Sequence, residues 1–75
     1  MADPSVRFGR TVRALREKAG YSQESFADAA GVHRTAMGNL ERGEVDPRLS
    51  TMVKVAKGLE LSLSELFQAV EKDIS

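Results

Sequence analysis

The sequence contains no cysteine and a single histidine, and this scarcity excludes several kinds of site. Without cysteine the chain can form neither a disulfide framework nor a thiolate metal site, and His33 alone cannot build a zinc site. A cysteine-free chain suits a reducing compartment, so the cytoplasm is the expected location. We therefore expect no metal and no cofactor.

Long apolar runs are also missing. No segment approaches the roughly 20 apolar residues that a membrane-spanning helix needs, and the N-terminal residues lack the basic and apolar regions of a secretion signal. The chain has no glycine-rich phosphate loop and no nucleophile at motif spacing from a base, which argues against an enzyme. Seventy-five residues leave room for one domain, residues 1–75. These absences predict a single intracellular domain with no membrane partner and no small-molecule ligand.

The chain lacks a net charge, because eleven Lys and Arg balance eleven Asp and Glu. A domain that binds nucleic acid is usually strongly basic, so the total argues against such a partner. The distribution of charge along the chain reverses this argument. Residues 1–58 hold ten basic and seven acidic residues, whereas residues 59–75 hold one lysine and four acidic residues. The first part is therefore able to face DNA, with few phosphate contacts and weak non-specific affinity.

The sequence does contain five segments with the apolar spacing of helices, and it has no strand-like alternation. The first segment follows Asp3 and closes at Gly20, and the last, over about residues 63–72, begins at a capping box of Ser62 and Glu65. The apolar faces consist of Phe8, Val12, Leu15 and Ala19; Phe26, Ala27 and Ala30; Ala36, Met37 and Leu40; Leu49, Met52, Val53 and Ala56; and Leu63, Leu66, Phe67, Val70 and Ile74. The pattern predicts an all-α fold of five short helices around one core.

Residues 22–42 have the spacing of two helices joined by a tight turn. The first helix begins near Ser22 and ends at Gly31, a residue type that adopts the left-handed conformation at little cost. Val32 fills the angle, and the second helix starts at about His33. The outer face of this second helix is polar and has no acidic residue; it consists of Arg34, Thr35, Gly38, Asn39 and Arg42. The segment is therefore predicted to form a helix-turn-helix.

These residues resemble the Cro and phage-repressor family of helix-turn-helix proteins, also called the xenobiotic-response-element family. The resemblance rests on Gln23, Ala27 and Gly31, on the apolar positions around them, and on the Leu-Glu-Arg-Gly run at residues 40–43. It covers about residues 6–68 and is greatest with short stand-alone members, such as the controller proteins of restriction-modification systems.

The resemblance implies a compact, five-helix, lambda-repressor-like domain that binds double-stranded DNA and regulates transcription, for example as a repressor, without a cofactor. It also implies a buried ion pair between Arg16 and Glu41, each of which flanks the apolar stripe of its helix. This pair would tie the first helix to the recognition helix. Gln23 would contact the DNA backbone and brace the recognition helix.

The outer face of the recognition helix supplies the candidate DNA contacts. Its first turns enter the major groove in this motif, so we predict base contacts from Arg34, Thr35 and Asn39. Arginine can bind guanine O6 and N7, asparagine can bind adenine N6 and N7, and threonine can contact a base edge or a thymine methyl group. Phosphate contacts are expected from Gln23, His33, Arg42 and Arg48. The alternative for all of these residues is an ordinary solvated surface.

The last helix carries more apolar surface than one small core needs. We predict a dimer interface from Leu61, Leu66, Val70 and Ile74, because a homodimer reads two half-sites about one helical turn apart. The alternative is an entirely intramolecular core. A second functional hypothesis is a protein-interaction module, such as an antitoxin or adaptor, for which DNA is secondary. RNA polymerase is a further candidate partner, through the acidic residues Glu60, Glu65 and Glu71.

Overall fold

The computed structural model describes residues 3–72 and contains five α-helices and no strand within that range. The helices are α1 Pro4–Lys18, α2 Gln23–Ala30, α3 Arg34–Glu41, α4 Leu49–Gly58 and α5 Leu63–Lys72. The all-α prediction is confirmed. None of the helices in the described range is long and apolar enough to cross a lipid bilayer.

Two helices begin at reciprocal caps that the local sequence dictates. The Ser22 hydroxyl accepts a hydrogen bond from the backbone N–H of Ser25 at 3.0 Å, and the Ser25 hydroxyl accepts one from the N–H of Ser22 at 2.9 Å. At α5, the Ser62 hydroxyl accepts from the N–H of Glu65 at 3.0 Å, and the Glu65 carboxylate accepts from the N–H of Ser62 at 2.8 Å. Each cap satisfies backbone donors that the first helical turn leaves unpaired.

The residue that follows the C-cap of α4 is acidic, although this left-handed position usually holds a glycine. Glu60 has a φ of 60°, in the left-handed region, while Gly58 still belongs to the helix. The N–H of Leu61 donates to the carbonyl of Ala56 at 2.9 Å, which closes the last turn. For residues other than glycine this conformation is unfavourable by about 1 to 2 kcal/mol.

The core is built from one or two side chains of each helix. Its fully or nearly fully buried members are Phe8, Val12, Phe26, Ala27, Met37, Leu40, Val55, Ala56 and Leu66. In α4 the buried face differs from the predicted one, because Leu49 and Val53 are exposed and Val55 is buried. The apolar residues of α4 fit two neighbouring helical faces, and the packing of α2 and α5 against α4 selects one of them.

Leu66 corrects one part of the predicted dimer interface. Its side chain is completely buried within the chain, so it has no surface left for a partner. Leu66 lies three and four residues from the half-buried Leu63 and Val70, which also pack against the core. The prediction for Leu66 was therefore wrong, and this residue holds α5 onto the rest of the domain.

Gly9 brings the backbones of α1 and α3 into direct contact. A Cβ atom at this position would lie 2.2 Å from the carbonyl oxygen of Leu40 and 2.7 Å from that of Glu41. No residue larger than glycine fits unless the two helices separate. The close approach therefore fixes how the C-terminal end of α3 sits on α1.

Candidate nucleic-acid interface

The turn between α2 and α3 is short and internally bonded. Gly31 has a φ of 75°, in the left-handed region that glycine adopts readily, and it ends α2. The N–H of Val32 donates to the carbonyl of Ala27 at 2.9 Å, and the half-buried Val32 side chain packs against the core. The angle between the two helices is thereby set by backbone bonds and by one apolar contact.

His33 caps the first turn of α3. Its backbone is extended, and its Nδ1 accepts a hydrogen bond from the N–H of Thr35 at 3.2 Å. Histidine is a poorer cap than serine or aspartate, and the sequence suggested a phosphate contact here instead. Because Nδ1 is used by the cap, a phosphate contact from this ring has to come from Nε2.

Arg16 and Glu41, the predicted ion pair, lie together in the interior between α1 and α3. Arg16 Nε is 2.7 Å from Glu41 Oε2, and Arg16 Nη2 is 3.0 Å from Oε1. The two side chains are 8% and 3% exposed. The hydrogen bond to Glu41 raises the pKa of Arg16 and so favours its charged form. Arg16 also donates to the carbonyl of Tyr21 at 2.9 Å.

Gln23 extends this buried pair to α2. Its side-chain nitrogen, Nε2, donates to Glu41 Oε1 at 3.0 Å. Glu41 therefore accepts hydrogen bonds from both α1 and α2, and it is itself the last residue of α3. The contact places Gln23 as a brace of the recognition helix, at the N-terminus of α2 where a phosphate contact is also predicted.

The surface of α3 differs in two positions from the one predicted. Arg34, Thr35 and Ala36 are exposed and Asn39 is half-buried, and we call these four residues the reading face. Gly38 was expected on this face but is buried, because the Gln23 side chain of α2 and the Arg42 guanidinium lie over it. Ala36 was expected to point inward but is exposed.

Arg34 contacts two carboxylates of α2. Its Nη2 is 3.2 Å from Asp28 Oδ2, and its Nη1 is 3.6 Å from Glu24 Oε2. The hydrogen bond to Asp28 raises the pKa of Arg34. The outer face of α3 has no acidic residue of its own, so the residues of α3 alone do not indicate these contacts.

Arg42 links Asn39 to the loop that follows α3. Its Nη2 donates to Asn39 Oδ1 at 2.8 Å, and its Nε donates to Glu44 Oε1 at 3.0 Å. A guanidinium has only donors, so the amide oxygen of Asn39 is the atom that faces Arg42. The amide nitrogen of Asn39 is then the donor that can meet a base.

A groove of about 410 Å³ separates the reading face from the start of α4. Its lining residues are Ala36, Asn39, Leu40, Val45, Asp46, Pro47, Arg48 and Thr51. Arg48 is exposed and is the N-cap residue of α4. The structure therefore places this predicted phosphate contact on the same groove as Asn39, a predicted base contact.

Two of the remaining candidates for the dimer interface, Leu61 and Val70, lie just before α5 and within it. Leu61 and Val70 are half-buried, and Ile74 lies outside the described residues. Beside Val70, the Phe67 ring is 37% exposed and makes an edge-on contact with Phe8 at 6.3 Å between ring centres. Val70 is also tied to α1, because Arg7 Nη2 donates to its carbonyl at 3.1 Å.

Comparison with known proteins identifies similar chains. A helix-turn-helix family model matches residues 12–66. The chain is 40% identical to the control protein C.MunI of Mycoplasma sp. over 74 residues, which is 97% of this chain and 100% of C.MunI. It is 35% identical to the transcriptional regulator PuuR of Escherichia coli over 72 residues, covering 96% of this chain and 39% of PuuR.

A solved structure shows the same arrangement of helices. The crystal structure of the restriction-modification controller protein C.AhdI from Aeromonas hydrophila matches with a TM-score of 0.80 and 38% sequence identity. The match covers 84% of this chain and 96% of C.AhdI. The family model spans α2, the turn and α3, the elements that carry the reading face.

Proposed function

Because this chain belongs to the helix-turn-helix family and is a DNA-binding transcription regulator, we propose that it binds a pseudo-palindromic operator as a homodimer in the cytoplasm. One observation carries this proposal. The reading face of α3 is open to solvent, while Glu41 at the end of the same helix is held by hydrogen bonds to α1 and α2. A recognition helix has to be held rigidly by the rest of the domain in order to place its side chains on base edges.

Base contacts come from Arg34, Thr35 and Asn39, and phosphate contacts come from Gln23, His33, Arg42 and Arg48. The first group shares the exposed side of α3, which supports insertion of this helix into the major groove. In the second group, Gln23 and His33 stand at the starts of α2 and α3, where backbone N–H groups and the helix dipole favour a phosphate.

The homodimer forms through α5 and the residues before it, with Leu61 and Val70 at the interface. The exposed Phe67 ring beside Val70 supports this placement, because it extends the apolar surface of α5. Dimensions also support it. The domain measures 31 × 22 × 22 Å, so two copies in contact can present their α3 helices to major grooves about 34 Å apart.

The biological role is that of a restriction-modification controller. The support is the full-length similarity to C.MunI and the similarity to C.AhdI, whose structure is described as that of a restriction-modification controller protein. A restriction endonuclease gene beside the gene for this chain, with a promoter that responds to the protein in a reporter assay, would agree with this role. Reporter expression that does not change when the protein is present would contradict this role.

The experiment that tests the reading face begins with a selection. A library of random duplexes of about 30 base pairs, long enough for two half-sites about 10 base pairs apart, is enriched for sequences that the wild-type protein binds. Arg34→Ala should weaken binding to the selected duplex by about 5- to 150-fold and relax one position in each half-site. Gln23→Ala should weaken binding to all duplexes more evenly. Wild-type affinity in both variants would refute the assignment.

The dimer is tested separately by light scattering. Val70→Lys should produce a monomer that binds the selected duplex weakly, because a charge replaces an apolar contact. Leu49→Lys is the matched control, since it puts the same charge on an α4 residue that is 62% exposed and lies outside the proposed interface. Circular dichroism establishes that both variants are folded. A dimer in Val70→Lys, or a monomer only in Leu49→Lys, would refute this interface.

A further inference from the structure

The two carboxylates that contact Arg34 come from one face of α2. Glu24 and Asp28 are four residues apart, so they lie one above the other on the helix surface. Both are exposed, and each is within 3.6 Å of a terminal nitrogen of the guanidinium. Arg34 therefore leans from α3 toward α2. Thr35 lies about 100° further round α3, on the side where a base edge is expected.

The exposed charges of α2, of α3 and of the residue after α3 sum to zero. These two helices and the residue that follows them carry Glu24 and Asp28 against Arg34 and Arg42, since Glu41 is already paired with Arg16 in the interior. Arg42 in turn contacts Glu44 at 3.0 Å. Arg34, on the reading face, and Arg42, bonded to Asn39, thus each have a carboxylate of the same chain as a partner. DNA has to compete with these carboxylates for the positive charge that would attract it.

We propose that Glu24 and Asp28 are positioning residues that set the DNA affinity of the chain by holding Arg34 on α2. This inference rests on the proposed function. To reach a base edge beside Thr35, the Arg34 guanidinium exchanges two charged acceptors for the neutral O6 and N7 of guanine. The exchange also leaves two unpaired carboxylates close to the phosphates of the duplex. Both effects lower the affinity.

The effect on non-specific DNA is the most direct consequence. A phosphate competes with Asp28 and Glu24 for the same guanidinium, and each phosphate that a protein neutralises adds about 0.9 to the slope of log affinity against log salt. An Arg34 held by carboxylates releases few counterions. Removing the carboxylates should therefore raise non-specific affinity and steepen its salt dependence together.

The test compares Asp28→Asn and the double variant Glu24→Gln/Asp28→Asn with the wild-type protein, on poly(dI-dC) and on the selected duplex, over a series of salt concentrations. On poly(dI-dC) the double variant should bind about tenfold more tightly at low salt, with a slope steeper by about 0.9 for each protomer. Asp28→Asn should give about half of this increase on a logarithmic scale. Affinity for the selected duplex should also rise.

Glu17→Gln is the matched control. Glu17 and Arg13 form an exposed pair on α1, with Arg13 Nε 3.5 Å from Glu17 Oε2, so the variant removes one paired carboxylate away from the reading face. Its affinity for poly(dI-dC) should change less than twofold. Asp28→Glu keeps the charge and should restore wild-type affinity and slope. Arg34→Ala added to the double variant should abolish the gain, because the released guanidinium is its source.

Three results would overturn the inference. Weaker binding of Asp28→Asn to the selected duplex would mean that the carboxylate supports Arg34 on its base. Equal gains in Asp28→Asn and Glu17→Gln would mean that total charge alone acts. A gain that persists without Arg34 would assign the effect to another cation. In each case the wild-type protein still binds its selected duplex, whereas a wild-type protein that selects no sequence overturns the proposed function as well.

Discussion

Replacing Glu41 by alanine removes the carboxylate at the end of α3 that accepts hydrogen bonds from α1 and α2. The change deletes two hydrogen bonds from Arg16 and one from Gln23, and it leaves a guanidinium whose side chain is only 8% exposed without its hydrogen-bonded counter-charge. Removing one partner of a buried ion pair costs about 3 to 5 kcal/mol. A chain of 75 residues has a free energy of unfolding of about 4 to 11 kcal/mol. The variant should therefore lose about a quarter of its stability or more.

The assay is urea denaturation followed by circular dichroism. Besides Glu41→Ala, it includes the double variant Arg16→Met/Glu41→Leu, which replaces both charges with apolar side chains of similar size. Such replacements are often neutral or stabilising by about 1 to 4 kcal/mol, so the double variant should be more stable than Glu41→Ala. The exposed pair of Arg13 and Glu17 is the control, and Glu17→Ala should cost less than about 1 kcal/mol.

Two results would refute the reasoning about the buried charge. One is a cost below about 1 kcal/mol for Glu41→Ala, which would mean that Arg16 escapes to solvent without penalty. The other is a double variant that is as unstable as Glu41→Ala. In that case the hydrogen-bond geometry, rather than the uncompensated charge, would hold α1 to α3.

Three further variants test other features by thermal or urea denaturation. Gly9→Ala should destabilise the protein by about 3 kcal/mol, because its Cβ overlaps the backbone of α3. In Gly38→Ala the Cβ meets only the flexible ends of two side chains, Arg42 Nη1 at 3.1 Å and Gln23 Oε1 at 3.5 Å, so stability should change by less than about 1 kcal/mol; equal losses would contradict this contrast. Glu60→Gly should stabilise by about 0.5 to 1 kcal/mol, because it relieves the left-handed backbone, and a lower melting temperature would contradict it. Ser62→Ala should destabilise by about 1 kcal/mol at neutral pH, and an unchanged urea midpoint would contradict the cap. Hydrogen bonds from Ser62, chiefly from its backbone N–H, lower the pKa of Glu65, so the stabilisation from this carboxylate is present at neutral pH and is lost as the pH falls through that lowered pKa.

The fold was accessible from the sequence because its signals are local. Apolar residues at helical spacing gave the five helices, Gly31 marked the turn, and Ser62 with Glu65 marked the start of α5. The sequence did not predict which side chains are covered at two positions: Ala36 is exposed rather than buried, and Leu66 is buried within the chain rather than at a dimer interface. The spacing within one helix shows which residues share a face, but only the neighbouring helices decide which face is covered and how far the core extends.

The site was predictable only in part for the same reason. The proposed base contacts Arg34, Thr35 and Asn39 share one side of a single helix, and a helical wheel identifies that side, although it places Ala36 inside and Gly38 outside. The pairing of Arg16 with Glu41 needed the family resemblance, since the two residues are 25 positions apart. The contacts of Arg34 with Glu24 and Asp28 were missed because they cross from α3 to α2. The four-residue spacing of these acids, just before the turn, was the available signal.

Gly9 was also missed, although it determines how α3 sits on α1. A glycine within a helical pattern is unfavourable by about 1 kcal/mol relative to alanine, so its presence is a reason to expect close packing against another backbone. The sequence cannot identify the partner of such a contact. In this fold the partner is the last turn of the recognition helix.

Arg34 on α3 is the residue that we propose to read a base edge in the major groove. The most direct measurement titrates the wild-type protein and Arg34→Ala against the selected duplex with each guanine in turn replaced by 7-deazaguanine, which lacks the N7 acceptor. We predict that at one guanine per half-site the wild-type protein loses affinity by about fivefold or more and that Arg34→Ala is insensitive there. A wild-type protein that is indifferent to every replacement, or an Arg34→Ala variant with the same sensitivity as the wild type, would contradict the claim.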